Sequence, residues 1–512
     1  MRWGLSTNND KQGSEVFLKN IFYYLHSVKE RQFSHALAHI PIRWRFLTPN
    51  QQWMAMRLGL YETVANKPFA ITKKQAHSQL IARAKTHKTN RDTIELKIVD
   101  YFYNKSYISY QKEFVKELIV IYPEIIYKCL SQHQKSLDDD YYLGVYLVLS
   151  SSIMSLCEYS VFCEKYKDRS IEEFALIKHN HANISKVAKI SALNDFFSRY
   201  QLAPLGLVDE TQPFCVTNLK PATTLQQNMN TSSANKVSIV VTCFNSEETI
   251  YESLMSLILQ TWQNLEIIVV DDCSEDHTLN IIKKLQSEHP KKIKLIALPC
   301  NVGTFVAKSI GAKYATGEFL TCQDSDDWAH PQKIYRQVKP LIDRKSLMVT
   351  VSYWIRLNSK GLYHARQVYP LMRQNPASPL FRRNQVEKDM GLWHLVRTGA
   401  DSEFWERLKL NYGNSGILTI KEPLTIASHR ENSLMTSSTL GAYTTSGQKK
   451  RQQYWQAWRI WHIEQLSKNQ PLIMPTVEKQ ILCEQTIQDI PESIIVDRKK
   501  VQYALDFHRA IL

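Results

Sequence analysis

Between residues 237 and 322 the chain alternates apolar runs of strand length with segments of helical periodicity. This alternation constrains the fold more than any other feature. VSIVVT (237–242) is a β-branched run, LEIIVV (265–270) repeats the pattern, and IKLIAL (293–298) and FLTC (319–322) follow. Asn245-Ser246 opens a helix after the first run, with Ile250, Leu254, Leu257 and Ile258 at helical spacing. Thr278, Ile281, Ile282 and Leu285 mark a second helix, and residues 303–315 a third. Strands apolar on both faces need helices on both sides. Strand alternating with helix predicts parallel pairing through right-handed crossovers.

In such a sheet ligands gather beyond the carboxyl ends of the strands, so the polar residues there are the informative ones. The second run ends in Asp271-Asp272, and the fourth leads into Gln323-Asp324-Ser325-Asp326-Asp327-Trp328. Three carboxylates within four residues repel one another unless something positive sits among them. A divalent cation bridging two phosphates supplies that charge, and oxygen ligands suit Mg2+ or Mn2+. The competing reading is a solvated acidic turn, since the motif by itself is common. Its place directly after a buried strand makes it specific.

VSIVVTCFNSEETIYESLMSLILQTWQNLEIIVVDDCSEDHT and NVGTFVAKSIGAKYATGEFLTCQDSDDW together resemble the nucleotide-binding half of the family 2 glycosyltransferases. The resemblance runs over residues 237–335 and more weakly to 436. It implies an α/β GT-A (Rossmann-like) domain over 237–440 and an inverting, Mn2+- or Mg2+-dependent transfer from a nucleotide-sugar, with UDP as the expected nucleotide. It implies that Thr242 and Asn245 hold the base and ribose and that Asp271 meets the uracil ring. Asp324 would lie near the ribose and donor sugar and share the metal. Asp326 would hold the metal on the diphosphate, and Asp327 would face the donor sugar or support the metal shell. Lys308 stands where the family often has arginine, which keeps the charge near the nucleotide but not the two-pronged geometry. An inverting transfer needs a carboxylate to accept the proton of the attacking hydroxyl. In the segment 399–408 the resemblance points to Asp401 for this role. Glu403 is the alternative, because Ala400 replaces the family's usual first acid. His429, following LTIAS, is a candidate metal ligand, with a hydrogen-bonded structural histidine as the competing reading.

Around this domain the pattern is mostly helical. A helical N-terminal domain is expected over 1–208, including a hairpin beginning at 34–40, a helix over 113–122 and a core helix over 141–159. A polar linker is expected over 209–236, and a helical C-terminal extension over 441–512. Within that extension, residues 447–466 form a Trp-rich helix. Tyr454, Trp455, Trp458 and Trp461 could lie on an anionic membrane, but their spacing favours packing on the catalytic domain. Arg382, Arg383, Trp393 and His394 suit the grip of an acceptor glycan.

The charge balance, 64 Lys+Arg against 49 Asp+Glu or +15, favours anionic partners. The positive residues are dispersed, and no basic-aromatic stripe marks a nucleic-acid binder. Nine cysteines fit no metal-finger spacing, and their odd number suits reduced thiols. The opening residues lack the apolar core of a signal peptide, and the longest uncharged run, 141–157, is shorter than a membrane span. A cytoplasmic protein, peripheral at the membrane face, is the expectation. The implied partners are a nucleotide-sugar donor and a glycan or lipid-linked acceptor in bacterial surface polysaccharide synthesis such as capsule. Contact with the inner membrane or with other polysaccharide-assembly enzymes belongs to the same setting. A nucleotidyltransferase is disfavoured by the lack of a glycine-rich phosphate loop near the first strand. A non-catalytic scaffold acting through its N-terminal helices is the competing function.

Overall fold

The computed structural model describes Tyr127 and residues 140–223, 235–365, 368–430, 441, 445–482 and 486–511. The expected hairpin at 34–40, the helix over 113–122 and most of the N-terminal domain lie outside the described residues. The remainder of that domain starts with helix α1 (Asp140–Ser150), α2 (Leu156–Lys165), α3 (Phe174–Lys178) and α4 (Lys186–Ser198). Where one helix was expected over 141–159 there are two. The hydroxyls of Ser150, Ser151 and Ser152 donate back to the carbonyls of Tyr146, Val148 and Leu149, and Ser155 then starts α2 with a capping box closed by Glu158. Serine side chains competing for backbone carbonyls favour such a break.

The stretch expected to be a linker is partly folded. Strand β1 (Leu205–Leu207) pairs antiparallel with β2 (Leu219–Pro221), and Phe214, Val216 and Leu219 are buried in the core of the helices. A polar composition concealed three anchors spaced two or three residues apart.

The central domain follows the sequence pattern closely. Its strands are β3 (Val237–Cys243), β4 (Leu265–Asp271), β5 (Ile293–Ala297) and β6 (Phe319–Asp324). They alternate with α5 (Ile250–Ile258), α6 (Thr278–Glu288) and α7 (Thr304–Lys313). The four strands pair in parallel in the order β5-β4-β3-β6. Every residue of β3 and β4 is buried. Each Val or Ile so covered contributes about 1.5–3 kcal/mol of apolar burial. Helix α7 reaches the sheet through Gly311. A Cβ there would sit 2.7 Å from a Val240 methyl and 2.9 Å from one of Val270, so the close approach requires glycine.

Beyond β6 the sheet becomes mixed. Added to it are β7 (Trp328–Ala329), helix α8 (Lys333–Asp343), β8 (Val349–Asn358), β9 (Arg373–Gln374), β10 (Leu380–Arg382) and β11 (Ile417–His429), with α9 (Arg383–Met390) and α10 (Ala400–Gly416) between the last two strands. Strand β10 joins the halves by pairing antiparallel with both β6 and β8, and β11 runs parallel to β8. Among the described residues the whole is a nine-stranded sheet.

The C-terminal region consists of α11 (Thr445–Ser467), α12 (Val477–Leu482) and α13 (Arg498–Ile511). It is not a separate appendage. Tyr454, Trp458, Trp461, Ile481 and Val501 share one apolar core with Ile310, Phe381 and Phe404 of the central domain. Trp458 is wholly buried, so packing, not membrane contact, accounts for this aromatic face. The N-terminal helices share another core with Ile355, Leu357, Leu424 and Ile426 of β8 and β11. No helix among the described residues is long and apolar enough to cross a membrane. Seven described cysteines, at 157, 163, 215, 243, 273, 300 and 322, are free thiols.

Candidate functional site

Parallel register brings the informative strand ends to one edge. Thr242 lies opposite Asp324 across the β3–β6 pair, and Cys243 lies opposite Asp271 across β3–β4. A cavity of about 850 Å³ opens there. Its walls come from both halves of the sheet and from the C-terminal region, and include Thr242, Phe244, Lys308, Asp324, Asp326, Asp327, Trp354, Arg356, Arg397, Asp401, His429, Arg430, Lys450 and Arg451.

The acidic turn after β6 is the cavity's most charged element, and cations from three segments surround it. Lys308, buried on α7, places its Nζ 3.0 Å from Asp324 Oδ1. Burial would lower the lysine, but Asp324 outweighs it, with a further contribution from Asp401, and the net shift is upward. Burial likewise opposes ionisation of Asp324, but Lys308 overcomes it and holds the carboxyl below its ordinary value. Arg430 contacts Asp326 Oδ2 at 3.1 Å. Burial pushes Asp326 up, Arg430 opposes and Asp324 adds to the rise. Asp327 accepts the backbone N–H of Ser428 at 3.2 Å and is pushed well up by burial and by the two neighbouring acids. Beneath them Lys333, 1% exposed, approaches Gln323 Oε1 at 3.4 Å. Burial lowers its ammonium to about 8 against the pull of Asp327 and Asp324.

The nucleotide side is built by hydrogen bonding within the loops. Thr242 Oγ1 lies 2.8 Å from Thr304 Oγ1. Asp272 accepts the N–H groups of Val302 and Gly303 at 2.7 and 2.8 Å, fixing the loop that starts α7. Phe244, at the mouth, is 46% exposed, an aromatic face open for stacking.

Several expected site residues stand elsewhere. Asp271 does not line the cavity; it accepts Ser274 N at 3.1 Å and the Ser274 hydroxyl at 2.5 Å, organising the turn after β4. Asn245 is outside the lining too, accepting Glu275 N at 2.9 Å. Glu403 is excluded as a base by burial. It has no exposure, is paired with Arg407 at 2.7 Å, and accepts from or shares a proton with His462 Nε2 at 3.0 Å. Asp401, two residues earlier on the first turn of α10, does line the cavity, and its carboxylate accepts the N–H of Ser402 at 2.9 Å. The proposed acceptor grip is also displaced. Arg382 pairs with Glu318, Arg383 donates to Gly317 O, and Trp393 and His394 are buried. From that segment it is Arg397 that reaches the cavity.

His429 stacks on His364, ring centroids 3.9 Å apart at 10°. No three His, Cys, Asp or Glu side chains converge as a metal cage among the described residues. Asp324 and Asp326 nonetheless present the oxygen donors that Mg2+ or Mn2+ takes. A cation there would complete its shell with phosphate oxygens and water, the habit of Mg2+ in nucleotide sites. The residues present fit such an ion only in company with a diphosphate.

Sequence reasoning missed Arg356, Arg397 and Arg430 as cavity-lining charges, and Lys333 as a buried cation beneath the acidic turn. The signal for Lys333 was present: it lies four and eight residues before Gln337 and Leu341 on the buried face of α8.

An α/β sheet with a polar cavity at its carboxyl edge, an acidic turn and cations around it defines a nucleotide-binding transferase class. Residues 238–403 match the family described as Glycosyl transferase family 2, and the domain they form belongs to that family. Among curated relatives, an uncharacterized glycosyltransferase of Haemophilus influenzae is 37% identical over 117 residues, 23% of this chain and 36% of its own. The Escherichia coli UDP-Glc:alpha-D-GlcNAc-diphosphoundecaprenol beta-1,3-glucosyltransferase WfaP is 33% identical over 121 residues, 23% of this chain and 46% of its own. The chain thus spans under half the length of these relatives. A crystal structure of S. aureus TarS with UDP-GlcNAc aligns with TM-score 0.35 and 24% identity over 46% of this chain and 71% of that one, too slight a likeness to carry an argument.

Proposed function

We propose that the cavity transfers a sugar from a UDP-sugar to a glycan or lipid-linked acceptor in bacterial surface polysaccharide synthesis, in one inverting displacement. The observation that carries this reading is the convergence, in one cavity, of the acidic turn at the end of β6 with Asp401 on a separate helix. Thr242 and Phe244 then receive the ribose and base, while Asp271 acts from behind by shaping its turn. Asp324 and Asp327 face the donor sugar. A divalent cation, Mn2+ or Mg2+, held by Asp326 with Asp324, would supply positive charge to the departing diphosphate. Lys308 and Arg430 supply charge to the same region from the protein. Asp401 accepts the proton of the acceptor hydroxyl as that oxygen attacks the anomeric carbon. His429 has a place in the cavity wall, and its stacking partner His364 makes a packing role the stronger reading for it. A cytoplasmic location, peripheral at the membrane, fits the lipid-linked acceptor named for one relative.

Calorimetric titration of UDP into the full chain tests the donor half, with Mn2+ and with EDTA, on wild type and Asp326→Ala. Binding that weakens about tenfold or more without the metal, and in the variant, is expected. Equal affinity under all four conditions would remove the metal and Asp326 from the reading, and no binding at all would remove UDP.

A further inference from the structure

Most cations of the cavity have partners. Lys308 is paired with Asp324, Arg430 with Asp326, and Arg397 donates to Asn301 Oδ1 at 3.0 Å. Arg356 differs. Its guanidinium makes no hydrogen bond or ion pair among the described residues, and its Nε is enclosed without an acceptor. A charged donor shut away from water is costly unless something accepts from it. The guanidinium lies over the Trp354 ring, 4.1 Å from the centroid, and both side chains line the cavity. Stacking of this kind fixes the plane of the guanidinium and leaves its donor edge for an anion. On the opposite face of β8, Ile355 and Leu357 are buried in the core, which anchors the strand.

The position says which anion. Lys308 belongs to the parallel half of the sheet, while Arg356 stands on β8 in the second half, near enough to the acidic turn for its charge to favour ionisation of Asp324 and Asp327. The stacked imidazoles of His364 and His429 border Arg356. In the sugar-transfer reading Lys308 and Arg430 already serve the diphosphate, which leaves Arg356 for the other substrate.

We propose that Arg356, held flat by Trp354, binds an anionic group of an acidic acceptor: a carboxylate or phosphate carried near the attacking hydroxyl. The assignment rests on the sugar-transfer reading for the identity of the acceptor, but the anion site can be tested without it. Arginine binds both anions through two parallel N–H···O bonds, so one geometry serves either source.

Saturation-transfer NMR and calorimetry on the full chain, with and without UDP, would compare glucuronate with glucose and glycerol phosphate with glycerol. The acidic member of at least one pair is expected to bind about tenfold more tightly, equivalent to about 1.4 kcal/mol. The glucuronate arm reports a carboxylate site and the glycerol phosphate arm a phosphate site. The preference should vanish in Arg356→Gln and fall in Arg356→Lys, which keeps the charge but not the fork; a fall in UDP affinity with the acidic preference intact would place the guanidinium on the donor and overturn the proposal. No acidic preference in either pair, or one that survives Arg356→Gln, overturns the proposal. Failure of wild type to bind UDP would overturn the donor reading instead, and the sugar and glycerol arms would still decide this one.

Discussion

Arg407→Met should be among the most damaging single changes in the C-terminal half of the domain. Arg407 has no exposure; it donates to both oxygens of Glu403, at 2.7 and 3.0 Å, and to the carbonyls of Met390, Gly391 and Leu392. Methionine fills much of the same volume but leaves the Glu403 charge uncompensated. Breaking a buried pair in this way costs about 3–5 kcal/mol. The charge is anchored in acid as well. Burial would raise Glu403, yet Arg407 and His462 hold it down at about 2, against an ordinary value of 4.5. A depressed carboxyl contributes stability that is complete above the unfolded value and is lost as pH falls toward the folded one. This contribution, about 3 kcal/mol for a shift of that size, should therefore disappear between about pH 4.5 and 2. The assay is urea unfolding followed by tryptophan fluorescence. Trp458 and Trp461 sit 5.1 and 5.2 Å from the His462 ring and report on the bracket directly. Glu403→Gln in the Arg407→Met background should recover part of the loss by removing the orphaned charge. An Arg407→Met protein within about 0.5 kcal/mol of wild type, or a double variant no better than the single one, would refute the reasoning.

Three further outcomes are expected. Asp401→Asn should lower the transfer rate by about 10²–10⁴-fold while leaving UDP affinity unchanged, measured by product release and calorimetry on the same preparation. Gly399→Ala should cost about 1–2 kcal/mol, because Gly399 holds φ at +85° and its new Cβ would sit 3.2 Å from Tyr454; thermal unfolding reads the loss. Glu173, buried and accepting the N–H groups of Leu371 and Met372 at 2.7 and 2.8 Å, is raised by burial to about 7 from 4.5. The folded state then binds the extra proton between those values, so wild-type stability from this group falls by about 3 kcal/mol as pH rises from 4.5 to 7. Glu173→Gln lacks this titration, so the wild-type-minus-variant difference in chemical denaturation should itself fall by about 3 kcal/mol over that range; a flat difference contradicts the assignment.

The parallel half of the sheet was legible because its information is local. Strands β3, β4 and β6 are runs of six or seven residues buried almost throughout, β5 is a shorter and partly exposed run, and each helix shows its own period, so no distant contact is needed to identify them. The second half was legible only in fragments. Strand β8 extends to Asn358, and its last residues alternate cavity-lining Trp354 and Arg356 with core-facing Ile355 and Leu357. That is an ordinary half-buried strand pattern, and nothing in the alternation itself marks the arginine as a cavity residue. Glu403 and Asp401 illustrate the same limit at closer range. Two residues apart on one helix, they point to different surroundings, and only the arrival of Arg407 and His462 decides which is structural.

The acidic turn shows where a correct physical premise led to an incomplete answer. Three adjacent carboxylates do require positive charge, and the sequence argument assigned it to a metal. The structure supplies protein cations: Lys308, Lys333 and Arg430, from α7, α8 and the end of β11, with Arg356 of β8 acting on Asp324 and Asp327 as well. Against Asp324, Asp326 and Asp327 the formal balance is four against three. With the turn's own repulsion met by the protein, an incoming diphosphate brings the charge that remains to be offset. On the sugar-transfer reading, a divalent cation in this cavity would therefore have its electrostatic reason in the donor rather than in the turn. These cations span 122 residues of sequence, from Lys308 to Arg430, and Arg430 reaches Asp326 from 104 residues away. Such long-range compensation leaves no motif in a chain read one segment at a time.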